Sequence, residues 1–232
     1  MTIALILSGG TGSRMGSDTP KQYLSAGGEM MITCTLRKFY CHRDIDGVQI
    51  VAAAPWHERI NLDQQRIFRY QDKFKGFSVP GENRQLSILH GLRDIAEYAD
   101  AGCAVVVHDA ARPLVTEETI GAGLLAMEGH DGAMPVLPMK DTVYLSKDGQ
   151  KVSSLVDRRE VVAGQAPEFF YLGKYLAANE ALSQDEILNI NGATEPAVMA
   201  GMDIRLFAGD EGNFKVTTPG DWDRYCRIME RL

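Results

Sequence analysis

Short runs of β-branched and aliphatic residues recur along the chain, at Ile3–Leu7, Val48–Ala52, Ala104–Val107, Gly132–Leu137 and Ile204–Phe207. Each is too short for a helix and nearly free of polar positions, the pattern of a strand covered on both faces. Between several of them lie segments with apolar residues at helical spacing: Ile32–Tyr40, Arg84–Ala99 and Glu117–Met127. This alternation predicts βαβ units, hence a Rossmann-like α/β fold whose mostly parallel sheet has helices on both faces. Ligands gather at the carboxyl ends of strands in such sheets. Thr142–Leu145 and Lys151–Val156 depart from the pattern, as two strand-like runs flanking Asp148-Gly149, a hairpin turn signal. A lone hairpin buries little, so it is expected either to cover a site or to reach a second chain. The segment Pro219–Leu232 reads as a closing helix, with Thr218 as N-cap, proline at the first position and Asp221 in the first turn.

The chain has 232 residues, 45% hydrophobic and 24% charged, which excludes a disordered chain, a fibre or a coiled coil. One domain over 1–232, with 140–160 as an inserted β-arm, fits that length. Lysines and arginines number 24 against 31 acidic residues, for a net charge of −7. Nucleic acid is therefore not expected as a partner, because phosphate neutralisation needs clustered positive charge. An anionic ligand must be held by a local basic pocket. Cys34, Cys41, Cys103 and Cys226 show no metal-ligand or disulfide spacing and read as buried free thiols of a reducing compartment. The apolar start TIALILS is too short for a signal peptide or membrane span, so the expectation is a cytoplasmic protein without a membrane partner.

Four segments carry candidate chemistry. GGTGSRMG at 9–16 follows the first strand, where backbone N–H groups can approach phosphates. It is neither a Walker loop, since Ser17 and Asp18 follow its last glycine, nor a dinucleotide fingerprint, since Met15 takes the sixth place. Arg14 within it and Lys21 just beyond suit a polyphosphate whose charge rises in a transition state, or simply flank a structural turn. VHDAARP at 107–113 ends another strand. There Asp109 can meet a metal or ribose and Arg112 a phosphate, or the two can pair to tie the loop. His108 reads as a hydrogen-bonded core histidine. In GENRQLS, 81–87, Arg84 and Ser87 can serve a nucleotide at a helix N-terminus, or Asn83 can cap that helix. In NFKVTTPGDW, 213–222, Lys215 is expected in a short strand.

In this order, TGSRMGSDTPKQYL, GENRQLS, VHDAARPLV, MKDTVY, VDRREV, GQAPEFF and NFKVTTPGDW resemble the cytidylyltransferases that make CDP-polyols, along essentially the whole chain. That family includes enzymes acting on 2-C-methyl-D-erythritol 4-phosphate and on ribitol 5-phosphate. The resemblance implies a nucleotidyltransferase domain of glycosyltransferase-A-like type with a protruding β-hairpin arm. It also implies that CMP passes from CTP to a polyol phosphate and pyrophosphate leaves, with Mg²⁺ spanning the triphosphate. By position, Arg14, Lys21 and Lys215 match the catalytic cations around the α-phosphate. Ser8, Gly9, Gly10, Thr11, Gly12, Gly81, Glu82, Arg84 and Ser87 match the CTP side. Asp109, Arg112, Thr142, Arg158 and Thr194 match the polyol-phosphate side, with Asp109 also the candidate metal contact. Arg158 comes from the arm, which in the family crosses to the other subunit of a homodimer.

The chain departs from the family at several places. Ser8-Gly9-Gly10 stands where the isoprenoid enzymes carry Ala-Ala-Gly, and resembles the wall-polymer branch more closely. Ala166 replaces a threonine, Glu168 a glutamine, and Pro196 interrupts an acidic run after Thr194. Methylerythritol phosphate is the leading acceptor, on HDAARP, and ribitol 5-phosphate the alternative. A nucleotide-binding regulator without turnover is a further alternative, opposed by the retention of Arg14, Lys21 and Lys215.

Overall fold

The computed structural model describes residues 1–10, 19–67 and 71–231. Its central eight-stranded sheet is built from β1 (Thr2–Leu7), β4 (Gly47–Val51), β5 (Phe74–Ser78), β6 (Ala104–Asp109), β7 (Gly132–Pro138), β10 (Val162–Gly164), β11 (Glu168–Tyr171) and β12 (Ile204–Ala208). Two small ribbons stand apart: β2 (Ser25–Ala26) with β3 (Glu29–Met30), and β8 (Val143–Leu145) with β9 (Ser154–Val156). The sheet order is β10-β7-β11-β6-β1-β4-β5, with β12 also pairing β7. The pairs β1–β4, β1–β6, β4–β5 and β7–β12 are parallel, while β11 and β10 run antiparallel to their neighbours.

The five expected strands are present, shifted by a residue or two. The expected helices are α1 (Met31–Cys41), α3 (Arg84–Ala96), α4 (Glu117–Ala126) and α8 (Pro219–Met229). Beyond them lie α2 (His57–Ile67), α5 (Leu172–Glu180), α6 (Gln184–Asn189) and α7 (Glu195–Met199). The closing helix starts as expected: Thr218 and Asp221 form a reciprocal capping box, with Pro219 in the first turn. Strands β5 and β11 were not legible, because Lys75 and Gly76 interrupt the apolar run of one and Pro167 abuts the other. Lys215 is not in a strand. The stretch 213–217 is an extended loop whose Val216 N–H donates to Ala111 O at 2.8 Å.

Alternation along β1 explains why its run contains no polar residue. Ala4 and Ile6 point to one face, among Ile32, Leu36 and Phe39 of α1. Ile3 and Leu5 point to the other, among Ile88, Leu92 and Ile95 of α3 and Tyr175 of α5. Each isoleucine, leucine or phenylalanine side chain so buried contributes about 1.5–3 kcal/mol relative to an exposed one. A third cluster joins Met31, Ala111, Val216 and Tyr225, and seats α8 and the Lys215 loop against the end of β6.

The arm forms in the expected place. Val143, Tyr144 and Leu145 pair with Val156, Leu155 and Ser154. Its strands are shorter than the apolar runs suggest, because the Asp148 carboxylate takes the N–H groups of Gln150 and Lys151 and rounds the turn into a wider loop. Gly149 there has φ +70°, a conformation glycine adopts without strain. Among the cysteines, Cys34 and Cys103 are buried as expected, but Cys41, at the exposed end of α1, is not, and Cys226 on α8 is only half-buried.

Candidate active site

A cavity of about 440 Å³ opens at the carboxyl ends of β1 and β6. Lys21, Arg84, Asp109 and Lys215 line it, with Gly9, Gly10, Gly81, Glu82 and Ser87. Its walls are two loops in close approach, since a Cβ on Gly9 would lie 2.6 Å from Pro80 Cβ. The loop after β1 is stapled from below. Gln22 Nε2 donates to Ser8 O at 2.8 Å and to Gly10 O at 2.6 Å. Tyr23 OH donates to Ser8 O and accepts from Ser8 Oγ, both at 2.9 Å. These bonds fix the single turn of 3₁₀ helix, Lys21–Tyr23, that brings Lys21 to the cavity. Thr11, Gly12 and Arg14 lie outside the described residues.

On the opposite wall Asn83 caps α3, its side chain accepting from Leu86 N at 2.8 Å. Ser87 Oγ accepts from Gly81 N at 3.0 Å and donates to Asn83 O at 2.9 Å, shaping the turn at Gly81. Asn83 thus caps the helix as one reading of this segment had it, and the cap aims Arg84 across the cavity at Asp109.

Asp109 is the centre of a buried charge cluster. Arg84 Nε donates to its Oδ1 at 3.0 Å, Lys215 Nζ reaches Oδ2 at 2.9 Å, and Arg112 Nε lies 3.8 Å from Oδ2. Arg84 Nη2 also contacts Glu168 Oε1 at 3.4 Å, and Glu168 Oε2 accepts from Thr194 Oγ1 at 2.7 Å. Arg84, Arg112 and Lys215 stand around Asp109 and Glu168, and the cavity lining adds Lys21 and Glu82, so one positive charge is in excess. An acidic protein has in this way built a local site for an anion. Burial works against the charged form of Asp109, yet Arg84 and Lys215 hold its carboxyl well below the usual carboxylate range. Glu168 moves the other way: burial pushes its pKa up, against the opposing pull of Arg84 and Thr194. Burial lowers Arg84 too, but the two carboxylates more than restore it.

Arg112 turns away from the cavity. Its Nη1 donates to Asn213 O at 2.7 Å, and Asn213 Nδ2 donates to Ala166 O at 2.7 Å. It ties the end of β6 to the loop that carries Lys215. His108 is fully buried, with Nε2 on Arg112 O at 3.0 Å, and burial lowers its pKa to about 4. It is the core histidine that was expected. Thr142 and Arg158 stand exposed at the base of the arm, where Arg158 Nη1 donates to Lys140 O at 2.7 Å. Neither lines the cavity. The organising roles of Gln22, Glu168 and Asn213 were missed. Gln22 and Asn213 lay within segments already singled out, and nothing in the sequence shows that Glu168 faces Arg84.

A doubly covered, mostly parallel sheet with a cation-lined cavity at its carboxyl ends defines an α/β nucleotidyltransferase. The family model that matches residues 2–231 is described as IspD: 2-C-methyl-D-erythritol 4-phosphate cytidylyltransferase, and the chain belongs to that family. It is 32% identical over 232 residues to a ribitol-5-phosphate cytidylyltransferase of Vibrio parahaemolyticus, covering 99% of this chain and 96% of the relative. It is 35% identical over 228 residues to a 2-C-methyl-D-erythritol 4-phosphate cytidylyltransferase of Rubrobacter xylanophilus, covering 94% and 90%. The fold matches the 4-diphosphocytidyl-2C-methyl-D-erythritol synthase of Anaerococcus prevotii with a TM-score of 0.83 at 21% identity, covering 99% and 96%. The chain is a cytidylyltransferase with CTP as co-substrate and a small molecule as acceptor. No helix among the described residues is long and apolar enough to cross a membrane.

Proposed function

We propose that the chain transfers CMP from CTP to 2-C-methyl-D-erythritol 4-phosphate, releasing pyrophosphate. The observation that carries this reading is the cavity around Asp109, rich in cations and, among the described residues, lined by no nucleophile–base pair. A phosphomonoester is already an oxyanion at neutral pH, so its attack on the α-phosphorus needs no general base. The protein has to hold two polyanions together and absorb charge as it builds on the α-phosphate. Lys21 and Lys215, with Arg14, are the groups for that task. Ser8 to Gly12, with Gly81, Glu82, Arg84 and Ser87, form the CTP side; the backbone of these loops reads the cytosine edge. Asp109, Arg112 and Thr194 form the polyol-phosphate side, and Asp109 and Arg112 also anchor Arg84 and the Lys215 loop. Thr142 and Arg158 complete the acceptor site of a second copy, in a homodimer joined through the arms. The whole of 1–232 acts as one nucleotidyltransferase domain with 140–160 as its arm.

The described residues do not form a cage for Mg²⁺. No three His, Cys, Asp or Glu side chains among them are placed to hold a metal, and both Asp109 oxygens already take cations. The divalent ion is left to the phosphates of CTP.

Ribitol 5-phosphate is a second reading of the acceptor, favoured by the relative of that activity that matches 99% of the chain. Pyrophosphate release, measured with CTP and each polyol phosphate in turn, decides between them. Turnover with methylerythritol phosphate and none with ribitol 5-phosphate is expected, and the reverse overturns the leading choice. CTP binding without release for any acceptor makes the chain a nucleotide-binding regulator. Hydrogen-bonding sites reject unmatched groups strongly, so CTP should exceed ATP and GTP by orders of magnitude, with UTP nearest.

A further inference from the structure

Glu168 takes no part in the cavity lining, yet it joins two groups with different tasks. One carboxylate oxygen meets Arg84, which lines the cavity, and the other accepts from Thr194 Oγ1 at 2.7 Å. Glu168 is itself buried, 7% exposed, at the start of β11. A threonine hydroxyl has one proton and two lone pairs. The Met134 thioether lies 3.3 Å from the same oxygen, but a carboxylate is by far the stronger acceptor, and the Arg84 guanidinium at 3.4 Å pulls Glu168 toward its ionised form against the burial that raises its pKa. The Thr194 proton is therefore committed inward. Thr194 is only partly buried, so its remaining lone pairs can face a ligand.

We propose that Glu168 is a positioning residue that makes Thr194 an obligate hydrogen-bond acceptor toward the second substrate. It thereby selects a substrate carrying an O–H donor at that place. A polyol phosphate supplies such a donor. A molecule with hydrogen or a carbonyl oxygen there leaves the Thr194 lone pairs facing no donor, and buried polar groups without partners are what sites discriminate against most strongly. The enzyme thus separates a polyol phosphate from its oxidised keto counterpart. This rests on the reading that Thr194 meets the polyol.

The test uses the full-length protein and whichever of methylerythritol phosphate and ribitol 5-phosphate it turns over. That substrate is compared with analogues in which one hydroxyl at a time is replaced by hydrogen or by a carbonyl. Wild type should lose kcat/KM by about tenfold or more for the analogue altered at the Thr194 contact. Thr194→Val should erase that penalty, since no lone pair is left to satisfy. Glu168→Gln, whose amide can donate to Thr194 and free its proton, should erase or invert it. KM for CTP should stay within about twofold in both variants. Thr194→Ser should keep the penalty. If Glu168→Gln does not fold, Thr194→Val against Thr194→Ser decides alone. A penalty unchanged in Thr194→Val overturns the proposal, as does a Glu168→Gln protein with the wild-type penalty. A Glu168→Gln effect seen equally in KM for CTP also overturns it, since that would be structural, through Arg84. If wild type turns over no polyol phosphate at all, the acceptor reading itself has failed, a separate outcome.

Discussion

The Asp109 cluster and the β8–β9 arm stabilise their residues by opposite means. Around Asp109, charged groups partly shielded from water pair with one another, so each partner counts. Along the arm, Tyr144, Leu145, Val152 and Leu155 are more than half exposed although all are apolar. The two arm strands are three residues long and pair with each other, and Val152 lies in the loop between them. The first region is complete within one chain. The second has an apolar surface that its own chain does not cover, which is why the arm is proposed to meet a second copy, where two-fold symmetry makes the contact self-complementary. Loss of a partner should accordingly be costly in the cluster and nearly silent in the isolated arm.

Asp109→Ala is the strongest way to break that contrast. It leaves Lys215 without its carboxylate and Arg84 with Glu168 alone, and since both cations keep some exposure the loss should approach, from below, the roughly 3–5 kcal/mol of breaking a fully buried ion pair. Denaturant midpoints should fall accordingly at unchanged slope. A loss near zero would mean that water reaches the cluster freely.

Lys21→Ala tests whether the same site acts on the transition state. Loss of one preorganised donor costs about 10²-fold or more in kcat, with much less change in KM for CTP. Near-normal kcat would reduce Lys21 to a binding group.

His108 extends the test to pH. Burial holds its pKa near 4, whereas an exposed histidine titrates near 6.5. Between those values the unfolded chain binds the extra proton, so stability is complete above about pH 6.5 and falls as pH drops toward 4. The loss amounts to about 3 kcal/mol by pH 4. Asp109, with its lowered pKa, adds a further loss below about pH 4. Urea titrations at pH 7 and pH 4.5 should show this fall, and a His108→Gln protein should have a flatter profile. An equal slope in that variant would move the pH dependence elsewhere.

The arm should give the smallest effect in one chain. Leu155→Ser, at an exposed position, should change the unfolding free energy of a dilute monomer by less than about 0.5 kcal/mol while raising the dimer dissociation constant. Mixing Arg158→Ala with Lys21→Ala chains should restore part of the activity if each site draws on two chains. No recovery in verified mixed dimers would confine Arg158 to its own subunit or remove it from the site.

Much of this was open to a reader of the residues alone. Strands such as Ile3–Leu7 have a local cause, continuous apolar character, and the capping box at Thr218 and Asp221 lies within four residues. The arm announced itself through Asp148-Gly149. The register that lets Arg84, Lys215 and Arg112 meet at Asp109 has no local cause. Those groups lie 25, 106 and 3 residues from it and converge only because β6 lies beside β1 and the C-terminal loop folds back on Ala111. The sequence allowed Arg112 to be a phosphate ligand or a loop tie, and only the tertiary structure shows that one of its nitrogens ties the loop at Asn213. Glu168 is the clearest case. From the sequence it was only an altered residue after a proline. The antiparallel pairing of β11 with β6 sets Glu168 opposite Val107, two residues short of Asp109, and so within reach of Arg84. Periodicity and turn chemistry are short-range and survive in a linear string, whereas the partners of a buried charge are chosen by which distant strands lie side by side.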